Sequence, residues 1–462
     1  MTATLVIPSH VAIEIEQATR HELETAGVLI AAVVETPNQN FRVLVQDVVW
    51  VDDSAYLQRE RYGLSIASHG YVKALGEAEQ RGAMALWFHT HPGNDGIPLP
   101  STHDHQVDRE IADLFRLRTG SPLYGTVIAS PRRSGVTLSG TLQPEGQAII
   151  PIDRFWLLGP LWRLLLGFNA HAQAIAPMFD RNVRAFGPAI QHILGGLRVG
   201  IVGCGGTGSS IAEQLVRLGI RDLLLVDVDT LSLSNVTRVY GSTPARVGDL
   251  KVDVLRDHLA AIAPDLMCTT LASMINVETT ARALTDRDVL FGCTDDNAGR
   301  LILSRIATYL LTPVIDVGVL LSSDGDQHLI GIDGRVTVLE PGSACLLCRD
   351  RVDLARAAAE MLTPEERRAR TDEGYAPALA GVEPAVVAFT TAVAAAAVNE
   401  LLERLVGYGA QPRPTEILLR LHEHEISTNI ACPRPGHYCH PSQKLMGRGN
   451  IAPFLGQAWA TP

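Results

Sequence analysis

The feature that most constrains this chain is the run Val199-Gly200-Ile201-Val202-Gly203-Cys204-Gly205-Gly206-Thr207-Gly208. A short apolar stretch ends in glycines, a helical pattern follows over 211–218, and a second apolar run over 223–226 ends at Asp227-Val228-Asp229. That order reads as strand, tight turn, helix and second strand, with a nucleotide in the turn. Gly203 permits the turn, Gly205 lets the backbone approach a phosphate, and Gly208 lets helix and strand pack closely while the helix N-terminus faces the anion. Gly206 belongs to the same cradle. Asp227, nineteen residues past Gly208, stands where a carboxylate accepts from ribose hydroxyls. Taken alone, the turn specifies only a nucleotide, and hydride transfer is its default meaning.

The remaining chain narrows this. From 197 to 318 strands and helices alternate, which predicts a mostly parallel sheet covered on both faces, with ligands at the carboxyl ends of its strands. At 462 residues the chain has room for two or three domains. It carries 39 Lys plus Arg against 50 Asp plus Glu, a net charge of −11 without a basic block, so a nucleic-acid partner is not expected. The best membrane candidate, 155–168, is too short and is interrupted by Pro160 and Arg163, so no membrane partner is expected either. With no cationic N-region before an apolar core, the expected location is cytoplasmic. Seven cysteines in a chain of this length point to metal binding rather than a disulfide framework.

In the N-terminal third, 83–88 reads as a buried strand that runs into His89-Thr90-His91-Pro92, followed by Ser101-Thr102-His103-Asp104 and a helix to about 116. Two histidines at i and i+2 on a strand point to one side, and a carboxylate on the next helix completes a three-ligand zinc set with water in the fourth position. Together with Glu24-Thr25-Ala26-Gly27-Val28-Leu29, these motifs resemble the JAMM (MPN) zinc peptidases, which cleave bonds after the C-terminal glycine of ubiquitin-like proteins. The resemblance implies His89, His91 and Asp104 as catalytic zinc ligands, Glu24 as general base and Ser101 as oxyanion donor. The loop 92–100 is two residues longer than is common in that family, which keeps His103 as a spare ligand.

Beyond the glycine turn, Asp227, Asp229, Asn235 and Arg238 lie just past the second strand, Lys251 opens the next helix, and Cys293-Thr294-Asp295 ends a later strand. An arginine and a lysine converging on phosphates, with carboxylates able to hold magnesium, suit attack of a carboxylate on the α-phosphate of ATP. These residues resemble the adenylation domain of the ThiF and ubiquitin-activating superfamily over about 175–440. The resemblance implies that Asp227 holds the ribose, that Asn235, Arg238 and Lys251 contact the triphosphate, and that Asp295 binds magnesium. It further implies that Arg181 reaches into the site of a partner copy, hence a homodimer. Val239 stands where the family usually has glutamine. Cys345-Leu346-Leu347-Cys348 forms a metal knuckle, and Cys432 with Cys439 would complete a structural zinc, with His437 or His440 as substitutes for Cys439. The segment expected to carry a thioester cysteine, 375–384, has none, and Pro377 stands near its place.

The expected architecture is α/β. It comprises a JAMM metalloprotease domain over 1–150, a helical connector over 151–176, a Rossmann-like, doubly wound ThiF-type adenylation domain over 177–441 and a loosely attached tail over 442–462. The expected activity is bifunctional, with ATP, magnesium and two zinc ions as cofactors. The chain would adenylate the terminal glycine of a ubiquitin-like or sulfur-carrier protein, process or deconjugate that protein, and pass the activated tail to a conjugating enzyme, a sulfur donor or an amine. The alternative is an adenylating enzyme for a peptide or small molecule, carrying a non-catalytic JAMM-like docking module.

Overall fold

The computed structural model describes residues 1–93, 96–133, 135–167, 174–324, 328–362 and 385–459. The chain forms two compact units, Met1–Ala172 with Gly447–Ile451, and Gln173–Met446 with Ala452–Pro462.

In the first unit, eight strands form one sheet. Ala3–Pro8 pairs in parallel with both Phe41–Trp50 and Ile150–Leu158, so the sheet closes on itself. The central strands Ala26–Glu35 and Met84–Thr90 are almost wholly buried because both their faces are covered. Alternation divides their side chains between two cores. Leu29, Ala31, Leu86 and Phe88 join Val11 and Ile15 of helix Ser9–Ala18. Val28, Ile30, Ala85 and Trp87 pack instead on helices His69–Arg81 and Thr102–Thr119.

The connector expected to be helical over 151–176 begins instead with two strands. Ile150–Leu158 and Trp162–Leu166 pair antiparallel, with Trp162 opposite Leu158. The run is apolar on both sides, and periodicity alone does not separate a doubly buried strand from a buried helix. Phe155 and Leu157 fill one core, while Trp156 meets Trp162 edge to face at 6.1 Å.

The second unit is built on an eight-stranded sheet in the order Met267–Leu271, Asp222–Val226, Arg198–Val202, Val289–Gly292, Val314–Ser323, Leu329–Leu339, Glu416–Arg420, Glu425–Asn429. The first five are parallel, in the 3-2-1-4-5 order of a doubly wound nucleotide fold. The strands of 197–318 are thus parallel as expected, and the last three pairings, which are antiparallel, extend the sheet by a three-strand meander. Helix Val387–Val406 covers one face of that extension, where a Cβ on Gly334 would lie 2.3 Å from Val393 Cγ2.

The stretch from Ser442 is not loosely attached. Phe454 and Leu455 are buried, and Arg305 donates to the carbonyls of Leu455 (2.8 Å) and Gly456 (2.9 Å). Within the first unit, Gln46 donates to the Gly447 carbonyl at 3.1 Å. Among the described residues, no helix is long and apolar enough to cross a membrane.

Candidate active sites

In the first unit, period two sets the geometry. His89 and His91 follow Ala85 and Trp87 on the face covered by helix Thr102–Thr119, whose first turn carries Asp104. His89 Nε2 lies 3.1 Å from Asp104 Oδ1 and 3.1 Å from His91 Nε2, and His91 Nε2 lies 3.6 Å from Asp104 Oδ2. Two ring nitrogens and a carboxylate thus converge on one point, with one ligand atom from each residue within 4.8 Å of the others. Two imidazoles and one carboxylate with an open side are the donor set of a three-ligand zinc site, so the residues fit that ion.

Glu24 reaches the same place through strand pairing. Ala26 stands opposite His89, the Thr90 N–H donates to the Thr25 carbonyl, and the Thr25 N–H donates to Thr90 Oγ1, both at 2.9 Å. Arg59 donates from Nε to the Glu24 carbonyl at 2.9 Å and fixes the turn. Burial raises the Glu24 carboxyl to about 7, although His91 pulls it down. Burial also acts to raise Asp104, but hydrogen bonds from His89, His91 and the Ser101 N–H outweigh it and hold Asp104 well below the usual carboxylate range. Ser101 caps the helix. Its Oγ accepts from the Asp104 N–H at 3.1 Å, and its N–H donates to Asp104 Oδ2 at 2.6 Å. Among the described residues the Ser101 hydroxyl only accepts, which leaves its proton for another acceptor. His103, held as a spare ligand, turns away to the Leu64 carbonyl at 3.3 Å and stands outside the cluster.

In the second unit, the glycine turn lies where the strand order reverses, between Arg198–Val202 and Val289–Gly292. Gly203 has φ 94°, and a Cβ there would sit 2.6 Å from the Cys293 carbonyl oxygen. A Cβ on Gly208 would meet the Gly203 oxygen at 1.8 Å, whereas one on Gly205 would meet nothing within 4 Å. The packed side of the turn therefore demands Gly208, and Gly205 faces open space. Gly206 lies under Arg238, whose Cγ would be 3.4 Å from a Cβ there.

Asp227 accepts from the backbone N–H groups of Cys204 (2.7 Å) and Asp229 (2.8 Å). Burial raises its carboxyl, while Lys251 and those two N–H groups pull it back. Lys251 Nζ lies 2.6 Å from Asp229 Oδ2. Asn235 is buried and its Oδ1 accepts from the Ser232 N–H at 3.1 Å, which shapes the turn that carries Arg238. Asp295 is exposed, and the neighbouring Asp296 caps helix Asn297–Tyr309. Arg181 is exposed on helix Asp180–Phe186. Burial pushes the thiols of Cys204 and Cys293, beside the turn, well up. The segment 375–384, where no thioester cysteine occurs, lies outside the described residues.

The expected structural zinc set changes in one member. Cys345 and Cys348 lie 3.5 Å apart, Cys439 lies 3.5 Å from Cys348, and His437 Nδ1 lies 3.2 Å from Cys348 and 3.8 Å from Cys345. Cys432 is exposed and outside the cluster, so His437 replaces it, while Cys439 remains and His440 caps the short helix Pro441–Gln443. Hydrogen bonding from Cys439, Cys348 and His437 draws the Cys345 thiol down, the direction that favours a metal-ligating thiolate. Cys345, Cys348 and His437 form one three-ligand group, with Cys439 beside it at 3.5 Å from Cys348, and three sulfurs with an imidazole are the donor types of a structural zinc.

A glycine turn at the switch point of a 3-2-1-4-5 sheet, with an acid at the end of the second strand, defines an α/β nucleotide-binding protein. The ThiF family matches residues 179–440, more than half of the chain, and the chain belongs to that family. The molybdopterin-synthase adenylyltransferase of Escherichia coli (strain K12) is 30% identical over 164 residues, which is 35% of this chain and 62% of that protein. The ubiquitin-like modifier-activating enzyme 5 of Arabidopsis thaliana is 32% identical over 167 residues, 32% of this chain and 37% of that protein. The chain thus spans less than two thirds of the length of these curated relatives. Among solved structures, that of E. coli MccB with ATP aligns with a TM-score of 0.45 at 17% identity, covering 58% of this chain and 75% of that chain.

Proposed function

We propose that the second unit activates the C-terminal glycine of a ubiquitin-like or sulfur-carrier protein with ATP, and that the first unit cleaves the bond beyond such a glycine. The observation that carries this is the pairing of a glycine turn with the Asp229–Lys251 contact and Arg238 in one crevice. Cations there serve a triphosphate, whereas a hydride-transfer site has no use for them. Gly203, Gly205, Gly206 and Gly208 cradle the phosphates, Asp227 accepts from the ribose, and Asn235, Arg238 and Lys251 contact the triphosphate. Asp295 would hold magnesium, which when bound offsets the charge of the phosphates. A carboxylate oxygen of the tail attacks the α-phosphorus, the bond to pyrophosphate breaks, and an acyl-adenylate remains. Arg238 and Lys251 neutralise the leaving pyrophosphate. Because Cys204 and Cys293 are kept as thiols, the activated tail passes to an external nucleophile: a sulfur donor, a conjugating partner's cysteine or an amine.

In the first unit His89, His91 and Asp104 would hold zinc, which supplies Lewis acidity when bound. Glu24 takes the proton of the attacking water and returns it to the leaving amine, and the Ser101 hydroxyl donates to the carbonyl oxygen. One substrate tail shared by both reactions gives the fusion its sense.

The test pairs zinc analysis with two assays. Wild type is expected to hold two zincs per chain and His89→Ala/His91→Ala one, with loss of cleavage of a Gly-Gly-extended carrier and unchanged ATP–pyrophosphate exchange. One zinc in both proteins would make the first unit a docking module. Exchange stimulated by a peptide or small molecule, and by no carrier protein, would replace the proposed substrate.

A further inference from the structure

Outside both sites, a cavity of about 380 Å³ lies on the antiparallel extension of the second unit's sheet. Strand register explains what lines it. Gly318 pairs with Arg335 and Arg335 with Leu418, while Leu320 pairs with Asp333 and Asp333 with Arg420. Residues directly opposite share a face, as do residues two apart, so these two rows form one surface, opposite the face that packs on helix Val387–Val406. Arg300, from the first turn of helix Asn297–Tyr309, and Arg351, just past the cysteine knuckle, close the sides.

Four guanidiniums therefore border one cavity, whose lining among the described residues includes one carboxylate, Asp333. Asp316, fully buried, accepts from Arg335 at 2.9 Å and lies 3.7 Å from Arg300. Glu416 lies 3.3 Å from Arg351 and 4.0 Å from Arg349. Each of these carboxylates serves two guanidiniums. Arg420 pairs with Glu425 at 2.9 Å and with Glu423 at 3.8 Å at the exposed edge. The Nε atoms of Arg300 and Arg335 are buried without a hydrogen-bond partner among the described residues. Burial, with Arg300 and Arg351 nearby, lowers the pKa of Arg335 in spite of Asp316. Gly318 keeps the floor low, since a Cβ there would already be 3.4 Å from guanidinium nitrogens of both Arg300 and Arg335.

The position of the cavity suggests its occupant. Asp316 pairs with Gly292, the last residue of the strand that leads into Cys293-Thr294-Asp295, and Arg300 lies five residues beyond Asp295. An extended chain advances about 3.3 Å per residue, so a tail with its terminal glycine near Asp295 passes these arginines within its last few residues. Leu320 and Leu418 offer apolar surface to its backbone and stems. We propose that this cavity is a subsite for the substrate protein's tail that selects an aspartate or glutamate a few positions before the terminal glycine. The inference rests on the adenylation proposed above.

The test uses the full chain and synthetic peptides ending in Gly-Gly, with Glu, Gln or Lys placed in turn at the third to sixth positions from the C-terminus. In ATP–pyrophosphate exchange, Glu at one of these positions is expected to exceed Gln in kcat/KM by about tenfold, the worth of one charge-assisted hydrogen bond, with Lys lowest. Arg420→Glu, at a half-exposed position, is expected to reverse the order of Glu and Lys while KM for ATP stays unchanged, which reports an intact fold. Equal rates for all three residues at every position, or a preference untouched by both Arg420→Glu and Arg335→Gln, would overturn the subsite and leave the adenylation standing. If pyrophosphate rather than the tail occupies the cavity, the peptides rank equally and Arg420→Glu weakens product inhibition instead, which also overturns it. No exchange with any Gly-Gly peptide or carrier protein would remove the activity and the subsite together.

Discussion

Gly205 and Gly208, three residues apart in one turn, are glycine for different reasons, and substitution separates them. At Gly208 a methyl group would collide with the Gly203 oxygen 1.8 Å away, so Gly208→Ala has to displace the helix Gly206–Leu218. Overpacking of this kind costs about 1–3 kcal/mol, and the turn loses its shape with it. Gly205 has φ −72°, which any residue adopts, and its Cβ direction is open. Gly205→Ala is therefore expected to unfold within about 2 °C of wild type, since substitutions at such positions change stability by only about 0.5 kcal/mol, yet to raise KM for ATP because the methyl group stands where a phosphate approaches. Gly208→Ala is expected to lose both stability and exchange. Thermal unfolding measured beside ATP–pyrophosphate exchange checks the pair. Normal ATP kinetics in Gly205→Ala would mean that the phosphates do not lie on this turn.

At the scale of elements, the metal cluster joins the knuckle at Cys345 and Cys348 to the loop that holds His437 and Cys439, about ninety residues away in sequence. Arg434 reinforces the junction, donating its backbone N–H to Cys348 Sγ at 3.2 Å and its guanidinium to Asp350 at 2.8 Å. His437→Ala and Cys439→Ser are expected to lose one zinc per chain and more than about 5 °C of thermal stability, because a site absent from the unfolded chain contributes its binding energy to folding. Cys432→Ser is expected to change neither, and metal analysis of the three variants checks the assignment. Loss of zinc in Cys432→Ser would return that cysteine to the ligand set. This element also marks what sequence could convey. The glycine turn is legible because steric demand allows one residue type at Gly203 and Gly208, and the convergence of His89, His91 and Asp104 follows from period two and a helix first turn. Four cysteines beside a histidine permit several sets, however, and only tertiary packing chooses among them. Strand Ile150–Leu158 reads as helix because both faces of its second half are buried, and the Leu-rich run of Trp162–Leu166 hides the alternation of its burial. Leu329–Leu339 carries no clear strand signal because Gly331 and Gly334 interrupt its apolar pattern. The arginine cavity depends on register between strands about eighty residues apart, for which the sequence carries no local signal.

For the whole molecule, the open question is how many copies make one active site. Arg181 is exposed on helix Asp180–Phe186, and under the proposed homodimer it serves the phosphates bound by the other copy. Arg181→Ala and Lys251→Ala would then each be inactive alone, for different reasons. If the two variants are mixed and allowed to exchange subunits, half of the dimers are mixed. In each mixed dimer one site carries both lesions and the other carries neither. Exchange activity is therefore expected to recover to about one quarter of wild type, the fraction of intact sites that random pairing in a two-fold dimer produces. The measurement is ATP–pyrophosphate exchange against time after mixing, with sedimentation run in parallel to follow the oligomeric state. An Arg181 that acts within its own chain gives no recovery at any ratio, and full activity in Arg181→Ala alone would remove it from the site. Recovery to a quarter, lost again when Lys251→Ala is mixed with a chain carrying both substitutions, would establish that each adenylation site is completed by its neighbour.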